Sequence, residues 1–280
     1  MENRFTREGK ALVGKIACRG ELRAEVDRAV AAIGGFQRLV EPGDTILVKP
    51  NYNTADPPPA SSDPAFVRAV IELLYEAGAG KVILGESSMF SRSARKTLEQ
   101  TGMMEAARAA GAEVVSFEEG RWVSVHTGGR YLKKVALAEA ALEGHKIVYV
   151  CCLKTHFQAE ISMSLKLAMG FVRPRERVPM HLHNLREKLA DLNLAVAPGL
   201  VVMDGRRCFI SGGPMTGEVR EPGLILASGD RCAIDVEGVK VIQGYAGHSL
   251  PADPWQVVMI RRAAELGLGA ASGRDYTVVE

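Results

Sequence analysis

Lys154-Thr155-His156 sets an amine and an imidazole two residues apart, and a further lysine, Lys166, follows ten residues after the histidine. An imidazole titrates near neutrality and serves as general acid, general base or metal ligand. A desolvated lysine serves as an anion clamp or a covalent attachment point. The alternative is a solvated loop lysine beside a core histidine. Lys166 argues against it, because it sits in the apolar run Ser162-Met-Ser-Leu-Lys-Leu-Ala-Met-Gly170. There Ile161, Leu165 and Ala168 form a helical stripe, so this lysine either snorkels outward or points at something. His156, Lys166 and Lys154 are therefore the candidate catalytic residues.

His181-Leu182-His183 adds two imidazoles at i, i+2. In an extended stretch that spacing puts both rings on one side, where they could share a divalent metal such as nickel or zinc. A structural zinc wants four His and Cys ligands, and the sequence holds no Cys-x-x-Cys pair. The plain reading of His183 is a polar residue at a helix terminus. Gly212-Gly213-Pro214-Met215-Thr216-Gly217 could wrap backbone N–H groups around an anion, but no Gly-Lys-Ser/Thr follows, and a surface turn is the better reading.

These residues need elements to position them. Thr45-Ile-Leu-Val-Lys49, Lys81 to Gly85, Ala112 to Phe117, Lys146 to Leu153, Gly199 to Asp204 and Leu224 to Ala227 read as strands. Between them, Ser62-Asp63-Pro64 caps an amphipathic helix through Phe66, Val67, Val70, Ile71 and Leu74. Leu98 to Ala110, His183 to Ala197 and Asp230 to Gln243 have helical spacing. The alternation predicts an α/β fold with a mostly parallel sheet and helices on both faces. A β-hairpin is inserted near 120–136, with its turn at Gly128-Gly129. The 280 residues allow one large α/β unit or two interleaved lobes.

In open parallel sheets, ligands bind at the carboxyl ends of the strands. Lys49-Pro50-Asn51, Glu86-Ser87-Ser88 and Asp204-Gly205-Arg206 fall there beside the Lys-Thr-His segment. Taken singly these are ordinary capping and turn residues. Taken together they nominate Lys49, Asn51, Glu86, Ser87 and Asp204 as binders of a small anionic substrate.

Composition narrows the classes. Thirty-five basic and 33 acidic residues are interspersed, leaving no basic stripe for nucleic acid, although Arg173 to Lys188 is locally basic enough to attract a small anion. No apolar run approaches the roughly 20 residues of a membrane span. No secretory signal is visible, and the five scattered cysteines suggest reduced thiols. The expectation is a cytoplasmic protein without membrane or nucleic-acid partners. The apolar segment Trp255 to Ile260 could pack on the sheet or on a second subunit.

Lys49-Pro50-Asn51, Leu153-Lys-Thr-His156, Ser164-Leu-Lys166 with Gly170, and Gly229-Asp-Arg-Cys-Ala-Ile-Asp235 resemble the ordered landmarks of the family catalogued as domain of unknown function 362. The resemblance runs from about Ile46 to Gly244. Many members of that family carry an iron-sulfur module with clustered cysteines. This sequence lacks those cysteines, so no iron-sulfur cluster is expected.

The order His156, Lys166, then His181 or His183 is also similar to the nickel-pincer lactate racemases. That similarity implies His156 as the acid/base group, Lys166 as cofactor anchor and one of the later histidines as metal ligand. The sequence departs from that family in being shorter, in lacking an obvious second catalytic His after the Gly85 strand, and in lacking a separate C-terminal domain. The expectation is an enzyme acting on a small anionic metabolite by proton or hydride transfer, racemase- or epimerase-like and metal-assisted where a metal is held. The alternative is a non-catalytic accessory protein that binds a cofactor, a metal or a redox partner.

Overall fold

The computed structural model describes residues 2–280 except residue 90. The chain opens with β1 (Thr6–Arg7), β2 (Lys10–Ala17), α1 (Leu22–Ala31), β3 (Thr45–Lys49), α2 (Pro64–Glu76) and β4 (Lys81–Glu86). It continues through α3 (Ala94–Gln100), α4 (Met103–Ala109), β5 (Glu113–Ser116), β6 (Trp122–His126), β7 (Lys134–Ala138) and β8 (Lys146–His156). Next come β9 (Glu160–Ile161), α5 (Ser164–Leu167), α6 (Pro174–Leu182), α7 (Leu185–Leu192), β10 (Leu200–Gly212) and β11 (Gly217–Arg220). The last elements are β12 (Leu224–Ser228), α8 (Arg231–Gln243), α9 (Val258–Glu265) and β13 (Tyr276–Val279).

The main sheet runs in the order β1-β2-β12-β10-β8-β3-β4-β5. From β10 to β5 the neighbours are parallel, and β12 pairs antiparallel with both β10 and β2. The strands at the centre are near-continuous apolar runs because both faces are covered. One apolar cluster contains Val26, Phe66, Val70 and Val148 under α1, α2 and α4. The other contains Leu153, Leu165, Leu189 and Ile234 under α5, α7 and α8. β8 is the spine: ten of its eleven residues are buried, and it lies between β3 and β10.

The fold class and the inserted hairpin appear as expected, with β6 and β7 forming a sheet of their own. Two local expectations shift. The helical spacing over Leu98 to Ala110 is two helices, because Gly102 sits between them at φ 75°. β10 does not end at Asp204 but continues to Gly212. Of the two packings open to the apolar C-terminal segment, the one within the chain is present: Val257, Met259 and Ile260 are fully buried in the core.

α2 starts as its sequence dictates, with the Asp63 carboxylate accepting from Ala65 N and proline at N1. α8 starts on Asp230, whose carboxylate accepts from Ala233 N at 2.9 Å and from Ala270 N at 2.8 Å. This one side chain caps a buried helix and fastens the C-terminal segment. Asp230→Ala is expected to cost about 2 kcal/mol. The measurement is a lower urea midpoint at unchanged m-value.

Candidate active site

At the ends of β3 and β4, Lys49 and Glu86 are each 1% exposed and meet at 2.7 Å. Lys49 Nζ donates to Glu86 Oε2 and to Pro50 O, both at 2.7 Å. Glu86 accepts from Tyr52 N at 2.9 Å and Ser87 N at 2.8 Å. Burial pulls the Lys49 ammonium down and pushes the Glu86 carboxyl up, and the contact between them opposes both effects. Both carboxylate oxygens accept hydrogen bonds, which is the pattern of an ionised group. Gly170 leaves room for the pair, because a Cβ there would lie 2.4 Å from Lys49 Nζ.

His156 ends β8, and its Nδ1 accepts from Gln158 N and Ala159 N, both at 3.1 Å. Two N–H donors on one ring nitrogen leave no place for a proton there, so the ring proton sits on Nε2. Burial, then the nearby Lys166, lowers the imidazole to about 2. His156 is therefore a neutral N–H donor at ordinary pH. Gly213 backs this segment at φ 71°, where a Cβ would lie 2.1 Å from Thr155 O. The glycine-rich turn thus serves as a close-packed support.

Lys166 stands on α5, a single turn held from below. Asp235 accepts from Ser164 N at 2.9 Å and Leu165 N at 3.0 Å. Asn193 Nδ2 donates to Leu165 O at 2.8 Å. The Lys166 amine itself has no hydrogen-bond or ion-pair partner among the described residues, in contrast to Lys49 and Lys154. Burial, then Lys154, Arg177 and Lys49, brings it down to about 7. Removal from water disfavours the charged form, and the neighbouring cations add to that effect.

α6 supplies Arg177 and His181. The Arg177 guanidinium is a cross-tie, donating to Val172 O at 2.9 Å, Ser88 O at 2.9 Å, Ser87 O and Gly170 O at 3.2 Å, and the Ser87 hydroxyl. His181 Nδ1 lies 2.6 Å from Arg177 O and must donate to that carbonyl. Its Nε2 therefore keeps a free lone pair, and burial lowers its pKa.

Lys49, Asn51, Glu86, Ser87, His156, Lys166 and His181 line one cleft of about 400 Å³, with Tyr52, Met89, Leu167, Met169 and Arg177 among its other walls. Three of the nominated residues are not part of it. Lys154 is within β8 rather than past its end, and its amine donates to Ala60 O and to Pro214 O at 3.3 Å. Asp204 lies mid-strand in β10 and pairs with Arg206 at 2.7 Å beside a separate pocket. His183 is exposed just past the end of α6. The shared-metal argument needed an extended chain; on a helix, positions two apart differ by about 200°. Among the described residues, no group of three or more His, Cys, Asp or Glu is placed to hold a metal ion.

Sequence reasoning had treated Arg177 only as part of a basic stretch. The signal available was the short link from the Lys166 helix, which returns α6 to the same strand ends. Asn53, Met89 and Ser162 had no signal beyond lying near strand ends.

A parallel sheet with a polar cleft at its strand ends, faced by an amine, two imidazoles and a buried ion pair, defines an α/β protein with a candidate binding cleft. The chain belongs to the family described as domain of unknown function (DUF362), whose model matches residues 46–240. It is 31% identical over 232 residues to the thylakoid-associated protein sll1697 of Synechocystis sp., covering 80% of this chain and 71% of that protein. Its backbone is similar to the lactate racemase apoprotein of Thermoanaerobacterium thermosaccharolyticum, with a TM-score of 0.49 and 12% identity. That match covers 86% of this chain and 58% of the racemase chain, so this chain spans under two thirds of its length.

Glu86→Leu strands a buried ammonium and two backbone donors and is expected to cost about 3–5 kcal/mol; Lys49→Met/Glu86→Gln recovers most of that. Denaturant titration of both variants checks it. Lys166→Met acts in the opposite sense. The lowered pKa is a penalty fully present below about pH 7 and lost as pH rises toward 10.5. This substitution is expected to raise Tm by about 3 °C at pH 6, with the gain shrinking toward pH 10.

Proposed function

We propose that the chain is an enzyme acting on a small anionic metabolite by proton or hydride transfer, in the manner of a racemase or epimerase. The observation that carries this reading is a lysine amine without a hydrogen-bond or ion-pair partner among the described residues, in the same cleft as a fixed imidazole N–H donor. An amine with these properties is a base or nucleophile of useful strength, which a solvated lysine is not. Lys49, Lys166 and Arg177 outnumber Glu86 in the cleft wall, so the local field favours an anion.

In this reading the substrate carboxylate enters the cationic cleft. Lys166 as free amine removes the proton from the carbon beside the substrate's oxygenated group and becomes an ammonium. Charge gathers on the substrate oxygen, where His156 Nε2–H donates to it. His156 stabilises this charge as a neutral donor, since its Nδ1 is engaged by backbone. Return of the proton to the carbon restores the amine, and His181 Nε2 is the second group able to exchange one.

A zinc site of three protein ligands does not fit these residues. If a metal on an organic carrier were held here, His181 and not His183 would ligate it and Lys166 would be the carrier's anchor rather than the base. When bound, such a group would supply Lewis-acid and hydride-accepting chemistry.

Exchange of the α-hydrogen in deuterated water, screened over 2-hydroxy and 2-oxo acids, tests the reading. The expected result is exchange that rises with pH to a plateau above about 7, and falls on the order of 100-fold in Lys166→Met. A loss of roughly 10-fold or more is expected in His156→Gln. Exchange that is equal in the parent and in Lys166→Met on every acid would refute it.

A further inference from the structure

Across Pro174 from the cleft lies a second groove of about 320 Å³, lined by Arg92, Glu118, Trp122, Arg173, Pro174 and Arg175. Pro174 is a wall of both. Several arginines of this chain face a carboxylate, as Arg4, Arg68, Arg95 and Arg121 do with Glu41, Glu72, Glu119 and Glu139. Arg92, Arg173 and Arg175 have no such partner among the described residues. Glu118, the carboxylate in this groove, is already engaged, because its oxygens accept from Ser88 N and Ala94 N at 3.0 Å each.

Three guanidinium groups against the one carboxylate of Glu118 leave the groove net positive, which favours a further anion. Two further features favour an anion. α6 opens at Pro174 without a side-chain cap, so the positive end of its backbone dipole adds to the charge. The hairpin also fixes the rim: Arg173 N donates to Ala136 O at 2.9 Å, and Ala136 N donates to Glu176 Oε2 at 2.9 Å. The half-buried Trp122 supplies a flat apolar side. Arginine forks match the tetrahedral face of a phosphate, whose several oxygens accept from more than one guanidinium at once.

We propose that this groove is a phosphate subsite, and that the ligand of the cleft is a phosphorylated acid lying over Pro174. Its carboxylate end faces Lys166 and its phosphate sits among Arg92, Arg173 and Arg175. The subsite stands on the groove's own residues; only the placement of the carboxylate end rests on the catalytic reading of the cleft.

Calorimetric titration with 6-phosphogluconate, gluconate and inorganic phosphate tests it, on the parent chain and on Arg173→Gln/Arg175→Gln. The parent is expected to bind 6-phosphogluconate about 30-fold more tightly than gluconate, with inorganic phosphate competing. The double variant is expected to lose that preference while keeping its gluconate affinity and its Tm. Equal affinity of the parent for the two acids, a preference that survives in the double variant, or no binding of either acid overturns the proposal. If the preference holds but no acid exchanges its α-hydrogen, the subsite stands and the catalytic reading falls. Exchange on unphosphorylated acids without any phosphate preference has the reverse meaning.

Discussion

A half-buried lysine amine facing the cleft without a counter-charge is the constraint on which the site depends. Among the described residues no carboxylate pairs with Lys166, and Glu86, the acid in the cleft wall, is engaged by Lys49 and two backbone amides. Lys49, Lys154 and Arg177 then surround the amine with like charge. Burial and repulsion act in one direction and lower the ammonium's stability. Such an arrangement weakens the fold, and perturbed groups of this kind cluster at functional sites.

The rest of the structure makes that arrangement stiff. The Lys166 turn is too short to be a stable helix alone, so it is fastened by Asp235 on α8 and Asn193 after α7. This gives the Gly229-to-Asp235 landmark a physical meaning: Asp230 starts the helix and Asp235, one and a half turns on, carries the turn that bears the lysine. The ring of His156 is fixed by two backbone amides, and the loop after β4 is fixed by Arg177. The His156 ring, the Lys166 turn and the loop after β4 are thus set by bonds on their far side, leaving the side toward the cleft open.

The sequence showed the parallel α/β architecture because its strands are short apolar runs with clear turn signals and capped helices between them. It also pointed to Lys49, Glu86 and His156, because polar residues at the ends of such strands converge by geometry, and to Lys166 as an amine inside an apolar helical run. It misled at Asp204, where the pattern suggested a strand end and β10 runs on for eight more residues to Gly212. Lys154 failed for a related reason, as the strand continues to His156 and its amine serves backbone carbonyls. The pairing of His181 with His183 failed because the first lies in a helix and the second just beyond it. Arg177 was hidden among exposed neighbours of the same type, and only tertiary packing separates a buried guanidinium from solvated ones. The tautomer of His156 was not legible either, since it depends on how the chain turns at Gln158 and Ala159.

The central claim is that the Lys166 amine loses its proton near neutrality in the folded protein. Competitive acylation with trace acetic anhydride across pH 5–11, with the modified peptide quantified by mass spectrometry, measures that titration without any substrate. A reactivity midpoint near 7 at Lys166, against ordinary high values at exposed lysines, is the result predicted. A midpoint near 10.5 would contradict the account.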